Sequence, residues 1–589
     1  MSVNRNLVAT LLAAGVALVG AHAAHGAVAL EPAPRGPEGL APGISYQRQV
    51  RDEGVVHVVR MRPGPRRTLA PVLTAGRPSA RASLTSAVRS RFATGAVGGI
   101  NGDFFNFGAS YPSGLLLLDG ALISEPEPSR TALLLSPNGT LLAERLRLDG
   151  GWQAEGQESS RAIDGINRPA ESGRETLLYT PIFGPTTPTA GSRFEVKVRL
   201  DSGAALAANA PQAGTVIARG SGGGTTIGPG QVVITAVGAD GPALASELPN
   251  GARVTITPTL AGLPPDVLQG IGGGPLLVQG GVAAPDAGEG FSTAQLTSRT
   301  ARSAVGQQSS GTLLFVMAEG PRTGQRGIDV AEQAQLMRTL GAVTAVAMDA
   351  GGSATLALGD QLAAAGSSER SITDALVLSY SGVHFPRLDT GRMTPNSDGV
   401  NDVIRTSVRV PTRGVLTVTL TRRRGRAIRI TRRLTGPTTR RVILNARRLR
   451  MSDGLYTLSA KLKPASGGAA SSHSRRLIVD RTLAALSTRR YVRRRGGKPR
   501  PKLDIRLRLF RAAHVSVTIR DAAGNRLRTL ASGKRLRAGS HTVTWDRTIR
   551  RQAAEGTFLI DVEARSSLGR SGLRETVRLT DPRTEDPVP

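Results

Sequence analysis

Two carboxylates in this chain stand beside glycines at the ends of strand-like apolar runs, where polar side chains often meet a ligand. Asp349 follows the apolar run 342–348 and precedes the glycine pair 351–352. Asp103 follows an Asn-Gly pair, and a third glycine-rich segment spans 272–274. Because glycine lacks a side chain, a ligand or another backbone can approach closely at such points. Asp349 in particular is a carboxylate at a strand end beside an open backbone.

Each carboxylate also has a purely structural interpretation. Asp103 precedes two aromatic residues, which could form an apolar wall that raises its pKa in a sugar site, or could simply fill the core behind a turn. Asp349 could act on a substrate, or it could belong to a loop in which Ser353 caps a helix. The flanking glycines favour function for Asp349, because a plain loop gives them little purpose.

These segments, with 302–306 and 319–322, resemble the phosphodiester glycosidase family over roughly residues 45 to 382. The resemblance implies hydrolysis of a bond between the anomeric carbon of a sugar and a phosphodiester. It implies that Asp103 and Asp349 are catalytic. The expected substrate-binding residues are Asn101, Gly273, Gly274, Arg302, Glu319, Arg322, Gly351, Gly352 and Ser353.

The chain departs from the family pattern at two positions. Ala350 stands where the family has glycine, and Glu319 stands where it has aspartate, with Pro321 inserted before Arg322. An alanine methyl fits if the backbone at residue 350 has negative φ. The departures also leave an alternative open: a non-catalytic protein that binds cell-wall polymer or exopolysaccharide.

Two further features could bind the substrate phosphate. Arg302 could hold it with a forked contact, with Arg299 as a rival, although a surface strand also explains either side chain. The N–H groups of residues 272–274 could bind an anion, although a tight turn explains three glycines as well. Glu319 and Arg322 have weaker support, and Glu332 fits a helix N-terminus better than a site.

Sequence patterns divide the chain into a signal peptide, a mixed domain and two β modules. Residues 44–384 alternate short strand-like runs with fewer helical ones, which predicts an α+β fold with a mixed or antiparallel sheet. The clearest predicted helix spans 329–340. The predicted boundaries are 1–29 for the signal peptide, 30–43 for a linker, 44–384 for the catalytic domain, 385–485 for a β-sandwich, 486–500 for a basic linker and 501–589 for a second β-sandwich. The two sandwiches resemble the immunoglobulin-like repeats of flagellar hook-capping proteins.

The composition excludes several classes of site. There is no cysteine, so neither disulfides nor Cys-based zinc sites are possible. Histidine is scarce, which argues against a Ser-His-Asp triad, and His57 lies in an alternating run that predicts a strand or core role. No cofactor is required. Asp398 and Asp402 could hold Ca²⁺ in an oxygen-rich loop, although turn chemistry explains the same residues, and any other metal is unknown.

Charge is concentrated in the C-terminal third. From residue 385 onward there are 47 Lys and Arg against 15 Asp and Glu, a surplus of 32, which equals the net charge of the whole chain. The signal peptide predicts a secreted or envelope-associated protein with no further transmembrane segment. Anionic wall polymer is then a more natural partner than nucleic acid, whose motifs are missing, while a merely solvated basic face stays the simplest alternative.

If the basic segment is an adhesion module, residues 385–589 alone should bind anionic wall polymer with an affinity that falls steeply with salt. The physical reason is screening, because the Debye length contracts from roughly 10 Å at 0.1 M salt to about 3 Å at 1 M. Co-sedimentation over a salt series measures the binding, with residues 30–384 as the control. Salt-insensitive binding would show that the basic surface is only solvated.

Overall fold

Strands dominate the described part of the computed structural model, and nearly all of them pair antiparallel. The structure describes residues 28–29, 38–51, 53–189, 191–203, 205–285, 288–322, 325–386, 391–395, 401–422, 427–495, 498–549 and 552–580. These residues divide into two compact units. The first lies within residues 37–381, and the second takes the residues from 382 onward together with the strand Val28–Ala29.

The strand that ends before Asp349 lies inside an eight-stranded antiparallel sheet of the first unit. In spatial order its strands are Glu38–Ala41, Ile44–Val50, Val55–Met61, Leu313–Ala318, Arg302–Gln308, Ala342–Met348, Leu276–Gln279 and Val282–Ala283. Its central strand Leu313–Ala318 is apolar on both faces because both faces are covered. Leu314 and Val316 pack against the side of Met337, whereas Phe315 and Met317 belong to the cluster of Ile100 on the other side.

A five-stranded sheet covers that second face and carries Asn101 at the end of one strand. Its strands in spatial order are Gln361–Ala365, Thr355–Leu358, Ala96–Asn101, Asp374–Tyr380 and Arg67–Leu73. The register pairs Ala375 with Asn101, so Asp374 lies beside the residue that follows Asn101. The ends of the two sheets therefore meet near Asn101 and Asp349.

The remaining strands of the first unit form further antiparallel sheets with one short parallel pairing. A second eight-stranded sheet contains Arg161–Ala162, Gly151–Ala154, Arg253–Thr257, Gln212–Ser221, Arg193–Leu200, Gln231–Val237, Glu175–Tyr179 and Gly165–Ile166. Another five-stranded sheet contains Leu141–Arg145, Thr131–Leu135, Gln269–Ile271, Leu116–Leu118 and Ala121–Ser124. Two strand pairs complete the set, Arg147–Leu148 with Leu260–Ala261 and Ser371–Ile372 with Ala82–Ser83.

Helices in the described part of this unit are few and short. They are the α-helices Leu84–Ser90, Gly241–Glu247, Thr293–Thr297 and Val330–Thr339 and the 3₁₀ turns Phe92–Thr94, Gly238–Asp240 and Gly351–Ser353. The helix predicted over 329–340 is confirmed, with Asp329 as its N-cap and Leu340 as its C-cap. Glu332 completes a capping box with Asp329, as a helix-start role predicts. The antiparallel and mixed sheets agree with the prediction, whereas the predicted α+β class is not clearly shown, because the described part of the unit is mostly β.

The second unit consists of strands in its described residues, arranged around two separate apolar cores. The first core lies between the pair Val403–Val410 and Thr438–Asn445 and the sheet Arg392–Met393, Ser471–Val479, Gly454–Pro464, Gly414–Arg422 and Ile428–Leu434. The second lies between the sheet Leu483–Arg495, Lys498–Leu509 and Gly539–Trp545 and the sheet Val28–Ala29, Gly569–Leu579, Gly556–Ser566, Ala513–Asp521 and Arg526–Leu536. The pair Thr548–Ile549 and Gln552–Ala553 is separate. The immunoglobulin-like assignment stays a prediction.

Two predicted linkers contain strands among their described residues. A basic linker was expected over 486–500, but residues 486–495 belong to the strand Leu483–Arg495 and residues 498–500 to the strand Lys498–Leu509, which pairs with it. The basic composition hid the start of this strand pairing at Leu486, which is buried in the core. In the linker predicted over 30–43, Glu38–Ala41 is a strand and Ala41 is buried.

The predicted signal peptide lies outside the described residues except for Val28–Ala29. Within the part of the chain that the structure describes, no helix has the length and apolar character needed to span a membrane. Of the predicted calcium pair, Asp398 lies outside the described residues, so that site stays a prediction.

Candidate functional site

The amide of Asn101 joins the ends of the two stacked sheets. Its Nδ2 donates to the carbonyl of Asp349 at 2.8 Å, and its Oδ1 accepts from the N–H of Thr355 at 3.0 Å. The N–H of Asp349 donates back to the carbonyl of Gly102 at 3.0 Å. Asn101 is only 1% exposed, so its predicted role in substrate binding is replaced here by one of positioning the loop of Asp349.

Asp103 is held behind this junction with its side chain 1% exposed. Its Oδ1 accepts the N–H of Phe104 at 2.7 Å and lies 3.6 Å from Nη1 of Arg130. Its Oδ2 has no hydrogen-bond partner in the structure. A Cβ at Gly114 or Gly272 would lie within 2.4 Å of that oxygen, so both positions need glycine. Glycine here makes room for a carboxyl group rather than for a ligand.

The pKa of Asp103 is raised to about 6, chiefly by burial and to a lesser extent by the charge of Asp349, against the opposing charge of Arg130. The pKa of Asp349 is also raised to about 6 by burial. Hydrogen bonds from Ser353 and from the N–H of Ala350, the latter at 2.8 Å, oppose that shift. Unlike Asp103, Asp349 is partly exposed, so it is the carboxylate of the two that a ligand can reach.

A third carboxylate, Asp374, was missed by the sequence reasoning. It is 1% exposed, its Oδ1 accepts the N–H of Asp103 at 2.8 Å, and Thr373 donates to its Oδ2 at 2.9 Å. Burial, followed by the charge of Asp103, raises the pKa of Asp374 well above its usual value. The available signal was a Thr-Asp pair directly before the apolar run 375–378.

The 3₁₀ turn after Asp349 brings a second cation to the site. Gly351 has φ +62 and Ala350 has φ −106, so the alanine that departs from the family pattern fits without strain, as expected. The buried Ser353 Oγ accepts from Nη1 of Arg370 at 3.3 Å. A Cβ at Gly352 would lie 2.3 Å from Nη2 of Arg370, so the glycine lets the guanidinium lie against the loop. Arg370 also opposes the raised pKa of Asp349.

The glycine segment 272–274 packs behind the site. The N–H of Gly272 donates to the carbonyl of Leu115 at 2.7 Å, and that of Gly274 to the carbonyl of Ala347 at 2.9 Å. A Cβ on Gly273 would lie 2.7 Å from that same Ala347 carbonyl. Close packing inside the protein therefore accounts for the three glycines, against the backbone at Gly273 and against the carboxyl groups of Asp103 and Glu289 at Gly272 and Gly274.

Gly274 also accommodates Glu289, a buried carboxylate that the sequence reasoning did not single out. A Cβ on Gly274 would lie 2.7 Å from Oε2 of Glu289. The carboxylate accepts from the N–H and hydroxyl of Thr131 at 2.8 and 2.9 Å, and from the N–H of Leu276 at 2.6 Å. Glu289 thus ties three backbone segments together beside the site.

Arg302 is not available to a phosphate in this geometry. Its side chain is buried, and its Nε donates to the carbonyl of Ile328 at 3.0 Å. Its Nη2 donates to the carbonyls of Gln295 and Ser298 at 2.9 and 2.8 Å. Arg299, its predicted rival, pairs with Glu332 at 2.6 Å. The structure thus gives Arg302 a supporting role that its sequence position does not reveal.

Glu319 and Arg322 form a separate cluster. The strand before Glu319 lies two strands away from that of Asp349, a separation of about 10 Å at the usual strand spacing. Glu319 is bonded to Nε2 of His57 at 2.8 Å and to Nη1 of Arg322 at 3.2 Å. Tyr46 bonds the other ring nitrogen of His57 at 2.9 Å. His57 is therefore the satisfied core histidine that its alternating run predicts, and burial lowers its pKa.

Two clefts border these groups. A polar cleft of about 530 Å³ lies beside Asp103, where Phe104 and Arg130 line its wall. Its other lining residues include Tyr111, Glu125, Glu127, Arg168, Glu171, Glu289 and Phe291. A more apolar cleft of about 560 Å³ lies next to Glu319, against Val55, Ala331 and Leu336. We favour the first as the ligand site, because Arg130 in its wall lies 3.6 Å from Asp103, one of the coupled carboxylates.

Comparison with known proteins supports a glycosidase. A model of the phosphodiester glycosidase family matches residues 202–379, which contain Asp349, Asp374 and Arg370 but not Asp103. The match spans less than half of the chain, and it indicates a hydrolase of that kind. No curated protein matches the sequence.

Three solved structures are similar to parts of the chain. A hypothetical protein from Synechocystis has 25% identity and a TM-score of 0.49, over 58% of this chain and 62% of that one. A presumed exported protein from Burkholderia pseudomallei has 21% identity and a TM-score of 0.45, over 57% and 74%. The zebrafish N-acetylglucosamine-1-phosphodiester alpha-N-acetylglucosaminidase catalytic domain, auto-inhibited by its pro-peptide, has 12% identity and a TM-score of 0.30, over 60% and 88%. The chain thus spans less than two thirds of the Synechocystis protein.

Arg302→Lys should destabilise the protein rather than weaken substrate binding. A lysine cannot serve all three carbonyls, and each buried carbonyl left unpaired costs about 1–3 kcal/mol of the free energy of unfolding. Urea denaturation measures the loss, with Arg370→Lys as the matched control that should leave the midpoint nearly unchanged. A normal midpoint combined with a raised KM would instead support the phosphate role that the sequence predicts.

Asp374→Asn should flatten the dependence of stability on pH. Because the pKa of Asp374 is raised in the folded state, the folded protein holds its proton while the unfolded chain releases it above pH 3.8. The free energy of unfolding of the wild type therefore falls as pH rises through this range. The Asp374→Asn substitution removes that fall, because an amide side chain does not ionise. The Tm of the variant relative to wild type should rise between pH 4 and pH 8.

Asp360→Asn, at a partly exposed position, is the control for this measurement and should keep the wild-type slope. If the curves of Tm against pH for wild type and Asp374→Asn are parallel, the Asp374 carboxyl has the same protonation in the folded and the unfolded state. That result would contradict the prediction.

Proposed function

We propose that the protein is a secreted glycosidase that hydrolyses a sugar-1-phosphodiester or a related cell-wall or exopolysaccharide linkage. The observation that carries the proposal is the position of Asp349. It is partly exposed, it is backed by two buried carboxylates, and it stands beside Arg370 in the part of the chain that the family model matches. A raised pKa on coupled carboxylates next to a polar cleft is typical of a catalytic site.

In this proposal Asp349 faces the anomeric carbon of the bound sugar. As the bond between that carbon and the phosphate oxygen breaks, positive charge develops on the sugar, and the carboxylate of Asp349 stabilises it or attacks it directly. Water supplies the new anomeric hydroxyl and its proton passes to a carboxylate. The phosphate departs as a monoester anion, so the leaving group needs little help from an acid.

Asp103 acts through Asp349 in this scheme, because its own side chain is almost completely buried. With both pKa values raised to about 6, the two groups exchange protons close to neutral pH, and they titrate as a coupled pair. Burial raises the pKa of Asp374 well above its usual value, and while Asp374 holds its proton it adds no charge to the site. We therefore propose that Asp103 positions Asp349, instead of the catalytic role that the sequence predicted for Asp103.

Arg370 and Arg130 are the better-placed cations for the phosphate. Arg370 is exposed and hydrogen-bonded to Ser353, whereas Arg130 lines the polar cleft beside Phe104. Both lower the pKa of Asp349, which means that each places positive charge near that carboxylate. Phosphate bound by either would lie next to the group that acts on the sugar.

Asp349→Asn should abolish most hydrolysis of a chromogenic sugar-1-phosphodiester while keeping the fold. The amide removes the charge that stabilises the transition state, and loss of such a group typically lowers kcat by roughly 10²–10⁴-fold. Its Tm should not fall at pH 8, because the buried charge that it removes opposes folding. Turnover and thermal melting are measured on the same samples, with Asp360→Asn as the surface control.

Retention of most turnover by Asp349→Asn would overturn the assignment of Asp349. If the wild-type protein binds the sugar phosphodiester without turning it over, the alternative of a non-catalytic glycan-binding protein replaces the enzyme.

A further inference from the structure

One side of a sheet in the second unit carries cations and hydroxyls but no acid. Its four neighbouring strands are, in spatial order, Ile428–Leu434, Gly414–Arg422, Gly454–Pro464 and Ser471–Val479. Alternate residues such as Leu416 and Val418 are buried in the first core of the unit, so the residues between them face away from that core. None of the four strands contains Asp or Glu. We call the outward side of these strands the cation–hydroxyl face.

The strand register aligns the outward residues of this face in rungs that cross the sheet. One rung consists of three hydroxyls and one cation, in the spatial order Thr431, Thr417, Lys461 and Ser472. The next rung has the same composition, in the order Arg429, Thr419, Ser459 and Ser474. Neighbouring strands lie about 4.8 Å apart and successive outward residues of a strand about 7 Å apart. The face is therefore a regular array that one extended polymer chain can contact at several points.

The cations of this face are not neutralised by the protein. They are exposed and form no ion pair with another described residue: Arg429, Arg433, Lys461, Lys463 and Arg476. The acids that flank the strands are paired elsewhere, Asp453 with Arg481 and Arg511 and Asp480 with Arg392. Because those arginines lie outside the four strands, the positive charge of the face is left for a ligand.

The hydroxyls of this face have spare hydrogen-bonding capacity on a rigid backbone. The hydroxyls of Thr417 and Thr431 bond each other at 3.3 Å, and the hydroxyl of Ser459 donates to the carbonyl of Thr419 at 3.3 Å. Each hydroxyl offers one donor and two acceptor sites, so a single bond leaves others open. A ligand with many hydroxyls of its own can use them.

We propose that the cation–hydroxyl face binds a polyuronate, a linear polysaccharide in which each sugar carries one carboxylate among its hydroxyls. The two complete rungs have the same ratio, one cation to three hydroxyls. The cation pairs with the carboxylate, and the Ser and Thr side chains bond to the sugar hydroxyls. The inference lies in the second unit and does not depend on the proposed glycosidase. It narrows the adhesion expected from the basic composition to one face.

Nucleic acid matches this face less well. Tyr456 is the only Phe, Tyr or Trp of the four strands, and it is buried in the core, so no aromatic ring on the face can stack on a base. A four-stranded sheet is also wider than the helix or two-stranded ribbon that the major groove of DNA admits.

The first test measures binding of the full chain to polygalacturonate and to its fully methyl-esterified form, which keeps the backbone and removes the charge. Each exposed ion pair strengthens binding by roughly 1.4- to 5-fold, so the charged polymer should bind at least about 10-fold more tightly at 0.1 M salt. Arg429→Gln/Lys461→Gln should weaken that binding by roughly 2- to 25-fold. The matched control is Arg506→Gln/Lys534→Gln, which removes the same charge from exposed positions around the second core and should leave the affinity unchanged.

The second test removes hydroxyls and keeps the charge. Thr417→Val/Thr419→Val preserves the branched shape that suits a strand, and it should weaken binding of polygalacturonate by roughly 2- to 12-fold for each hydrogen bond lost. Thr542→Val/Thr544→Val, an exposed pair with the same spacing on the strand Gly539–Trp545, is the control and should bind as the wild type does. An unchanged Tm in all four variants establishes that each is folded.

The outcomes separate this inference from its alternatives. Equal weakening by the two glutamine variants would show that net charge alone attracts the polymer, and it would overturn the face. Unchanged affinity in Thr417→Val/Thr419→Val, equal affinity for the esterified polymer, or tighter binding of DNA at the same salt concentration would overturn the polyuronate. Asp349→Asn should bind polygalacturonate as the wild type does, so failure of the glycosidase would leave this inference standing.

Discussion

The hydrogen bonds of Asn101 fix the relation between the two stacked sheets on which the candidate site depends. A strand of one sheet ends at Asn101, and a strand of the other sheet ends at Met348. Neither strand by itself places Asp349 beside Asp103. The side-chain amide of Asn101 links the two: its Oδ1 accepts from the N–H of Thr355 in its own sheet, and its Nδ2 donates to the carbonyl of Asp349 in the loop after the other strand. Because Asn101 is buried, loss of its amide would leave two backbone groups without their partner, and the carboxylates would lose their alignment.

Removal from water raises the proton affinity of the three aligned carboxylates. Burial is the largest cause of the raised pKa of Asp103, Asp349 and Asp374, and mutual repulsion adds to it at Asp103 and Asp374. Opposing effects from Arg130 and Arg370 keep Asp349 close to the point where it can exchange a proton at neutral pH. The arrangement costs folding stability at neutral and alkaline pH, a cost that proteins accept at functional sites more often than elsewhere.

The sequence predicted the parts of the site that follow from local pattern. An apolar run followed by Asp-Ala-Gly-Gly-Ser predicts a carboxylate at a strand end, and the capped helix 330–339 follows from periodicity and Asp329. What it could not predict is side-chain direction across sheets. Arg302 begins a strand, so its exposed and buried alternatives look identical in sequence, and Asp374 approaches Asp103 only because Ala375 pairs with Asn101. In the hairpin that contains residues 486–500, basic residues concealed the strand periodicity.

Burial also decides which arginine can bind an anion. The guanidinium of Arg302 is enclosed and donates to three carbonyls, so a phosphate would have to displace bonds that the fold already uses. Arg370 is exposed, and in the described contacts it shares one bond with Ser353 and rests on the face of Phe107. Such a side chain can turn toward a ligand without leaving a buried carbonyl unpaired. Residue type therefore identifies the candidates for phosphate binding, and the number of buried partners distinguishes between them.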